Sequence, residues 1–145
     1  MTELHIPQRI VTVMIEQARR EAPLEACGML SGINHTVTTL HEMTNADQSE
    51  DHFSLQPEEQ FAAAKKMRAA NEVPLAVYHS HPASPARPSR EDIRLAFMPD
   101  IVYVILSLLE PEQPELRGFY IHEDEVTPVP LKIVNDSAVT AQKGR

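Results

Sequence analysis

The sequence contains a single cysteine, Cys27, among 145 residues. No internal disulfide can form, and zinc sites built from several thiolates are excluded, so any bound metal must sit on imidazole and carboxylate. Basic residues are also scarce. Thirteen Lys and Arg stand against 21 Asp and Glu, a formal net charge of −8, and no basic cluster interrupts the acidic average. A protein that works by neutralising phosphates needs the opposite balance, and no nucleic-acid partner is expected. Apolar runs are short, none approaching the ~20 residues of a membrane span. The opening Met1-Thr2-Glu3-Leu4-His5 has neither a basic start nor an apolar core behind it. The cytoplasm is therefore the expected compartment, with no membrane partner. Repeats and low-complexity blocks are absent as well.

What the chain does have is an apolar fraction of 42%, enough at this length for one hydrophobic core and one domain, expected over 1–134 with a disordered tail at 135–145. Ile6, Ile10, Val13 and Met14 recur at three- and four-residue steps and predict a first helix from Pro7 to about Glu21. Leu24 to Ile33 and Thr36 to Met43 read as a hairpin turning at Asn34. Asn45 to Asp51 is a polar loop, followed by a short extended piece at His52 to Leu55. Pro57-Glu58-Glu59 opens a second helix that fades near Asn71. Leu75 to His81 is strand-like, and the three prolines within 82–88 exclude regular structure there. Ser89 suits the N-cap of a third helix through Met98. Ile101 to Leu109 reads as a central strand, Leu116 to Ile121 as its neighbour, and Val126 to Val134 as an edge strand where Pro128 and Pro130 are tolerable. Interspersed helices and strands imply an α/β fold, a mixed sheet flanked by helices.

The chemistry concentrates at His79-Ser80-His81. A strand alternates faces with a period of two, so both imidazoles project to one side. Asp92, in the first turn of the helix capped by Ser89, is near enough to return to the strand terminus. Two His, one carboxylate and an open fourth position are what a catalytic zinc requires. Each piece also has an ordinary reading. An HxH pair is often two hydrogen-bonded histidines, Ser89-Arg90-Glu91-Asp92 is a capping box in its own right, and Glu25 after Pro23 suits a solvated strand entrance. Cys27 reads as a small, inert core residue. His5, His35, His41, His52 and His122 have no ligand spacing.

Read together, His79-Ser80-His81-Pro82, six residues, Ser89, two residues and Asp92 resemble the metal signature of the JAMM (MPN+) family in every fixed position, and Glu25-Ala26-Cys27-Gly28 resembles its upstream glutamate element. The resemblance runs from the first helix to the strand at Leu116. It implies the MPN, cytidine-deaminase-like fold, with Zn2+ as cofactor on His79, His81 and Asp92. It also implies Glu25 as the proton shuttle and Ser89 as a hydrogen-bond donor to the oxyanion. Only the 53 residues 26–78 separate Glu25 from His79, which looks like the compact prokaryotic type.

Members of that type are associated with ubiquitin-like sulfur carriers ending in Gly-Gly. The expected activity is hydrolysis of a peptide or isopeptide bond at such a tail, and the expected partner is a ubiquitin-like or sulfur-carrier protein. A non-catalytic MPN scaffold and a RadC-like DNA-associated protein are the competing readings. The first is disfavoured because every metal residue is present, the second by the acidic balance. A homodimer remains open.

Overall fold

The computed structural model describes residues 3–135. The tail expected at 135–145 therefore lies, apart from Asn135, outside the described residues. The order of elements is β1 (Leu4–Pro7), α1 (Gln8–Glu21), β2 (Cys27–Ile33), β3 (Thr36–Met43), α2 (Pro57–Ala69), β4 (Val73–His81), α3 (Arg90–Leu95), β5 (Val102–Ser107), β6 (Glu115–His122), β7 (Glu125–Val129) and β8 (Leu131–Val134). All eight strands join one mixed sheet in the order β7-β6-β5-β4-β2-β3-β1-β8. Among the described residues, no helix is long and apolar enough to cross a membrane.

Consecutive strands β7 and β8 stand at opposite ends of that order, separated by Pro130 alone. A single residue spans under ~4 Å, so the sheet must curl until its two ends meet there. Pro130 has no amide hydrogen for either ladder, and its carbonyl accepts the Leu4 amide at 3.0 Å, handing the chain from one end to the other. Leu131 to Val134 then run parallel to β1. The single edge strand expected over Val126 to Val134 is thus two strands on different neighbours. The expected helix start at Pro7 also changes, because β1 takes Leu4 to Pro7. Ile6 belongs to that strand rather than to the helical stripe.

Helix α1 fills the concave side. Its buried stripe of Ile10, Val11, Met14 and Ala18 packs with Leu4, Leu30, Ala76, Tyr78, Val104 and Leu106 into the larger core. The opposite face carries Val77, Tyr103, Ile105 and Phe119, with Ile93 of α3 against them, while α2 lays Ala63 and Met67 over Cys27, Met29 and Met43. Strand β4 is central. It runs antiparallel to β2 and parallel to β5, and its alternation sends Ala76, Tyr78 and Ser80 to the α1 side and Val77, His79 and His81 to the other. Helix α3 ends at Leu95 rather than Met98, since the Tyr103 hydroxyl accepts the amides of Phe97 and Met98, both at 3.1 Å, and draws them out of the helical ladder.

Candidate metal centre

His79 and His81 lie at the end of β4, where β2 and β5 flank it and the proline loop leaves. They are 0% and 2% exposed. Asp92 reaches them from the first turn of α3, whose start is held by a reciprocal pair of bonds. The Asp92 amide donates to Ser89 Oγ at 3.0 Å, and the Ser89 amide donates to Asp92 Oδ2 at 2.9 Å. The capping box and the ligand assignment are therefore compatible, because a carboxylate has two oxygens. Oδ1 faces His79 Nε2 at 3.2 Å, while Oδ2 serves the cap and faces His81 Nε2 at 2.9 Å.

The protons identify what this cluster needs. His81 Nδ1 lies 2.8 Å from the Pro85 carbonyl, which can only accept, so Nδ1 carries the hydrogen. In the neutral ring Nε2 then presents a lone pair, and it meets the Nε2 of His79 at 3.2 Å and an oxygen of Asp92. The His81 lone pair and the Asp92 carboxylate are acceptors facing one another and call for a shared proton or a metal, whereas His79, whose Nδ1 has no partner among the described residues, has no bond that selects its tautomer. Burial opposes charge on His81, but the hydrogen bond to Asp92 and the one to Pro85 outweigh it and raise its pKa. On His79 burial wins and the pKa falls. Burial also works against the Asp92 carboxylate, yet the two histidines hold its pKa far below the usual range.

The spacing fits a metal. Ligand bonds of ~2.0–2.1 Å at tetrahedral angles put neighbouring donors about 3.3 Å apart. The two Nε2 atoms are 3.2 Å apart, Asp92 turns a different oxygen to each of them, Oδ1 at 3.2 Å from His79 and Oδ2 at 2.9 Å from His81, and one ligand atom from each residue lies within 4.8 Å of the others. A ring proton bonded to a backbone carbonyl is also the usual outer support of a metal-bound histidine.

Glu25 stands just before β2 rather than on it. Cys27 is paired with His79, and one step outward the Ala26 amide donates to Ser80 Oγ at 2.8 Å while the Ser80 amide donates to the Ala26 carbonyl at 2.9 Å. That register carries Glu25 to the level of His81. Its side chain is buried, and Oε1 has no partner among the described residues. Burial first, and the charge of Asp92 second, push its pKa up to about 8. Cys27 is fully buried, its thiol directed at the Met43 carbonyl and pushed up to about 12 by burial, which suits the inert role. A cleft of about 370 Å3 opens beside His79 and Asp92, walled by Phe53, Leu55, Leu95, Phe97 and Tyr103.

Sequence reasoning missed two contributors. Phe53 stacks on His79 with ring centroids 4.6 Å apart, and the Pro85 carbonyl fixes the His81 tautomer. Neither has a sequence signal beyond an aromatic in a polar loop and a proline-rich connection.

Residues 7–121 match the family of prokaryotic homologs of the JAB domain. The CysO-cysteine peptidase of Mycobacterium tuberculosis is 40% identical over 127 residues, covering 86% of this chain and 87% of that protein. A solved protein from Desulfitobacterium hafniense is 40% identical with a TM-score of 0.86, covering 91% of this chain and 93% of that one. At the level of fold alone, a JAB1/MPN domain protein from Archaeoglobus fulgidus superposes with a TM-score of 0.62 at 19% identity, covering 92% of this chain and 100% of that one. The sheet, the converging ligands and these matches lead to one conclusion: the chain belongs to the compact prokaryotic branch of the JAMM/MPN (JAB) family.

Proposed function

We propose that this chain is a zinc-dependent peptidase that cuts a peptide or isopeptide bond at the Gly-Gly tail of a ubiquitin-like or sulfur-carrier protein. The observation that carries the reading is the meeting of His79 Nε2, His81 Nε2 and the Asp92 carboxylate, with one ligand atom of each within 4.8 Å of the others, while Glu25, at the level of His81, carries a buried Oε1 without a partner among the described residues. The 40% identical relative, named for peptidase action on CysO-cysteine, supports the substrate class. A Gly-Gly segment has no side chains and can lie extended in a narrow cleft. We also infer that residues 1–134 form the single catalytic domain.

Zinc, when bound, supplies a Lewis acid that polarises a carbonyl and acidifies water. His79, His81 and Asp92 would hold the ion, and the Pro85 carbonyl keeps His81 in the tautomer whose Nε2 is free. Glu25 accepts a proton from the attacking water and returns it to the leaving amine. Burial raises the pKa of this carboxyl, which favours holding the proton until the amine leaves. Ser89 Oγ already accepts the Asp92 amide, so its own hydrogen is available to the developing oxyanion. Loss of such a donor costs about 2.7–4 kcal/mol of transition-state stabilisation.

The test is incubation of the zinc-loaded protein with sulfur carriers extended beyond Gly-Gly, read by intact mass. Zinc-dependent shortening to the Gly-Gly terminus is expected. A zinc-loaded protein that shortens no carrier overturns the substrate assignment. Failure to bind zinc at all favours the scaffold.

A further inference from the structure

The loop between β3 and α2 is organised around one side chain. Asn45 is 4% exposed, and its carboxamide hydrogen-bonds with the backbone of Glu25 and of four positions in its own loop. Nδ2 donates to the Glu25 carbonyl at 3.1 Å and to the His52 carbonyl at 3.0 Å, with a longer contact to Ser49 O at 3.4 Å. Oδ1 accepts the Asp47 amide at 3.0 Å and the Ser54 amide at 3.4 Å. The bonds to His52 and Ser54 bracket Phe53, the ring stacked on His79. The bond to Glu25 joins a second one, in which the Glu25 amide donates to Ser49 O at 2.8 Å. One planar amide thus grips Phe53 on both sides and Glu25 from behind.

We propose that Asn45 is a positioning residue that holds the Glu25 backbone and the Phe53 ring in one frame around the metal ligands. Only an amide meets the demand. Two donors are needed for Glu25 O and His52 O, together with an acceptor for the amides of Asp47 and Ser54, and aspartate, serine or alanine each leaves buried backbone groups unpaired. Glu25 lies in the connection between α1 and β2, outside any regular ladder, so without Asn45 and Ser49 little else fixes its carbonyl and amide. A catalytic group displaced by about 1 Å loses on the order of 10²-fold in rate. The proposal rests on the role assigned to Glu25 above.

The test compares wild type, Asn45→Ala and Asn45→Ser with Glu72→Gln, a destabilised control remote from the metal ligands. Zinc content, kcat and KM on a tail-extended carrier, and residue-resolved amide exchange are measured. Both Asn45 variants are expected to keep zinc and hold KM within a few-fold while kcat falls about 10²-fold. Exchange at Glu25, Asp47 and Ser54 should quicken about tenfold or more with β4 and β5 unchanged, and Glu72→Gln should keep its kcat. Undiminished kcat, or unaltered exchange at Glu25, overturns the proposal. So does loss of protection throughout β4 and β5, which would make Asn45 a general structural residue. If wild type cuts no carrier, the substrate assignment falls by itself, and exchange at Glu25 and Ser54 still decides whether Asn45 sets this frame.

Discussion

His81 gives its Nδ1 hydrogen to the carbonyl of Pro85, four residues along the chain and 2.8 Å away. Three prolines make the 82–88 connection stiff, and this bond fixes the tautomer of His81 that turns its Nε2 lone pair toward His79 and Asp92. The proline-rich stretch thereby acts as an outer support of the metal site.

In the proposed centre three side chains would share the ion, and removal of one would leave two. His81→Ala is expected to purify with little or no zinc, whereas Glu25→Gln keeps zinc at wild-type stoichiometry and loses about 10²–10⁴-fold in turnover. Metal analysis alongside steady-state kinetics checks both. Full activity in Glu25→Gln contradicts the proton-shuttle role.

Ser89 caps α3, and substitution can separate that cap from the oxyanion role proposed for its hydroxyl. Ser89→Ala removes the cap acceptor and the free hydroxyl, with an expected loss of about 1 kcal/mol in stability and about 10²–10³-fold in kcat. Ser89→Asp retains a cap acceptor and, ionised, has no hydrogen to donate. Denaturation should find Ser89→Asp nearer wild type in stability than Ser89→Ala, and kinetics should find it at least as slow. Equal rates in wild type and Ser89→Ala would remove the oxyanion assignment.

Glu72 predicts an acid-dependent contribution to stability. Its carboxylate accepts hydrogen bonds from Ser31 at 2.7 Å, Thr38 at 2.6 Å and Thr39 at 3.1 Å. Partial burial disfavours its charge, but the three hydroxyls outweigh that, with help from nearby His41, and the folded pKa lies below the ordinary value. A carboxyl whose pKa is depressed by folding stabilises above its unfolded value, and the benefit disappears as pH falls through the folded value. Glu72→Gln should therefore lose about 1–2 kcal/mol near neutral pH and approach wild type in acid. Urea denaturation at several pH values measures the difference, and a gap independent of pH argues against the carboxylate.

Gly28 tests the close approach of strands beside the site. A Cβ there would stand 2.6 Å from the His41 carbonyl and 2.7 Å from Tyr78 Cε1. Backbone cannot yield as a flexible side chain does, so Gly28→Ala should cost about 1–3 kcal/mol. It should also lower turnover by shifting the strand that follows Glu25. An unchanged melting temperature would show that β2 has room to spare.

The meeting of His79, His81 and Asp92 was legible in the order of residues because the three lie close together in the chain. His79 and His81 share a face by the two-residue period of a strand, and Ser89 to Asp92 is a helix start wherever it occurs. Glu25 could be assigned only by resemblance, since nothing local distinguishes a functional carboxylate from a solvated one.

What only the tertiary structure decided are relationships between segments far apart in sequence. Leu4 to Pro7 form a strand because Leu131 to Val134 arrive beside them after the sheet has curled, and Pro130 changes neighbours because the two sheet ends meet there. Phe53 becomes part of the metal site because its loop folds over β4, and α3 stops at Leu95 because a tyrosine from β5 takes its next amides. Local pattern records which face a residue occupies. Which partner covers that face depends on the closure of the whole sheet, and that follows from burying all the apolar faces at once.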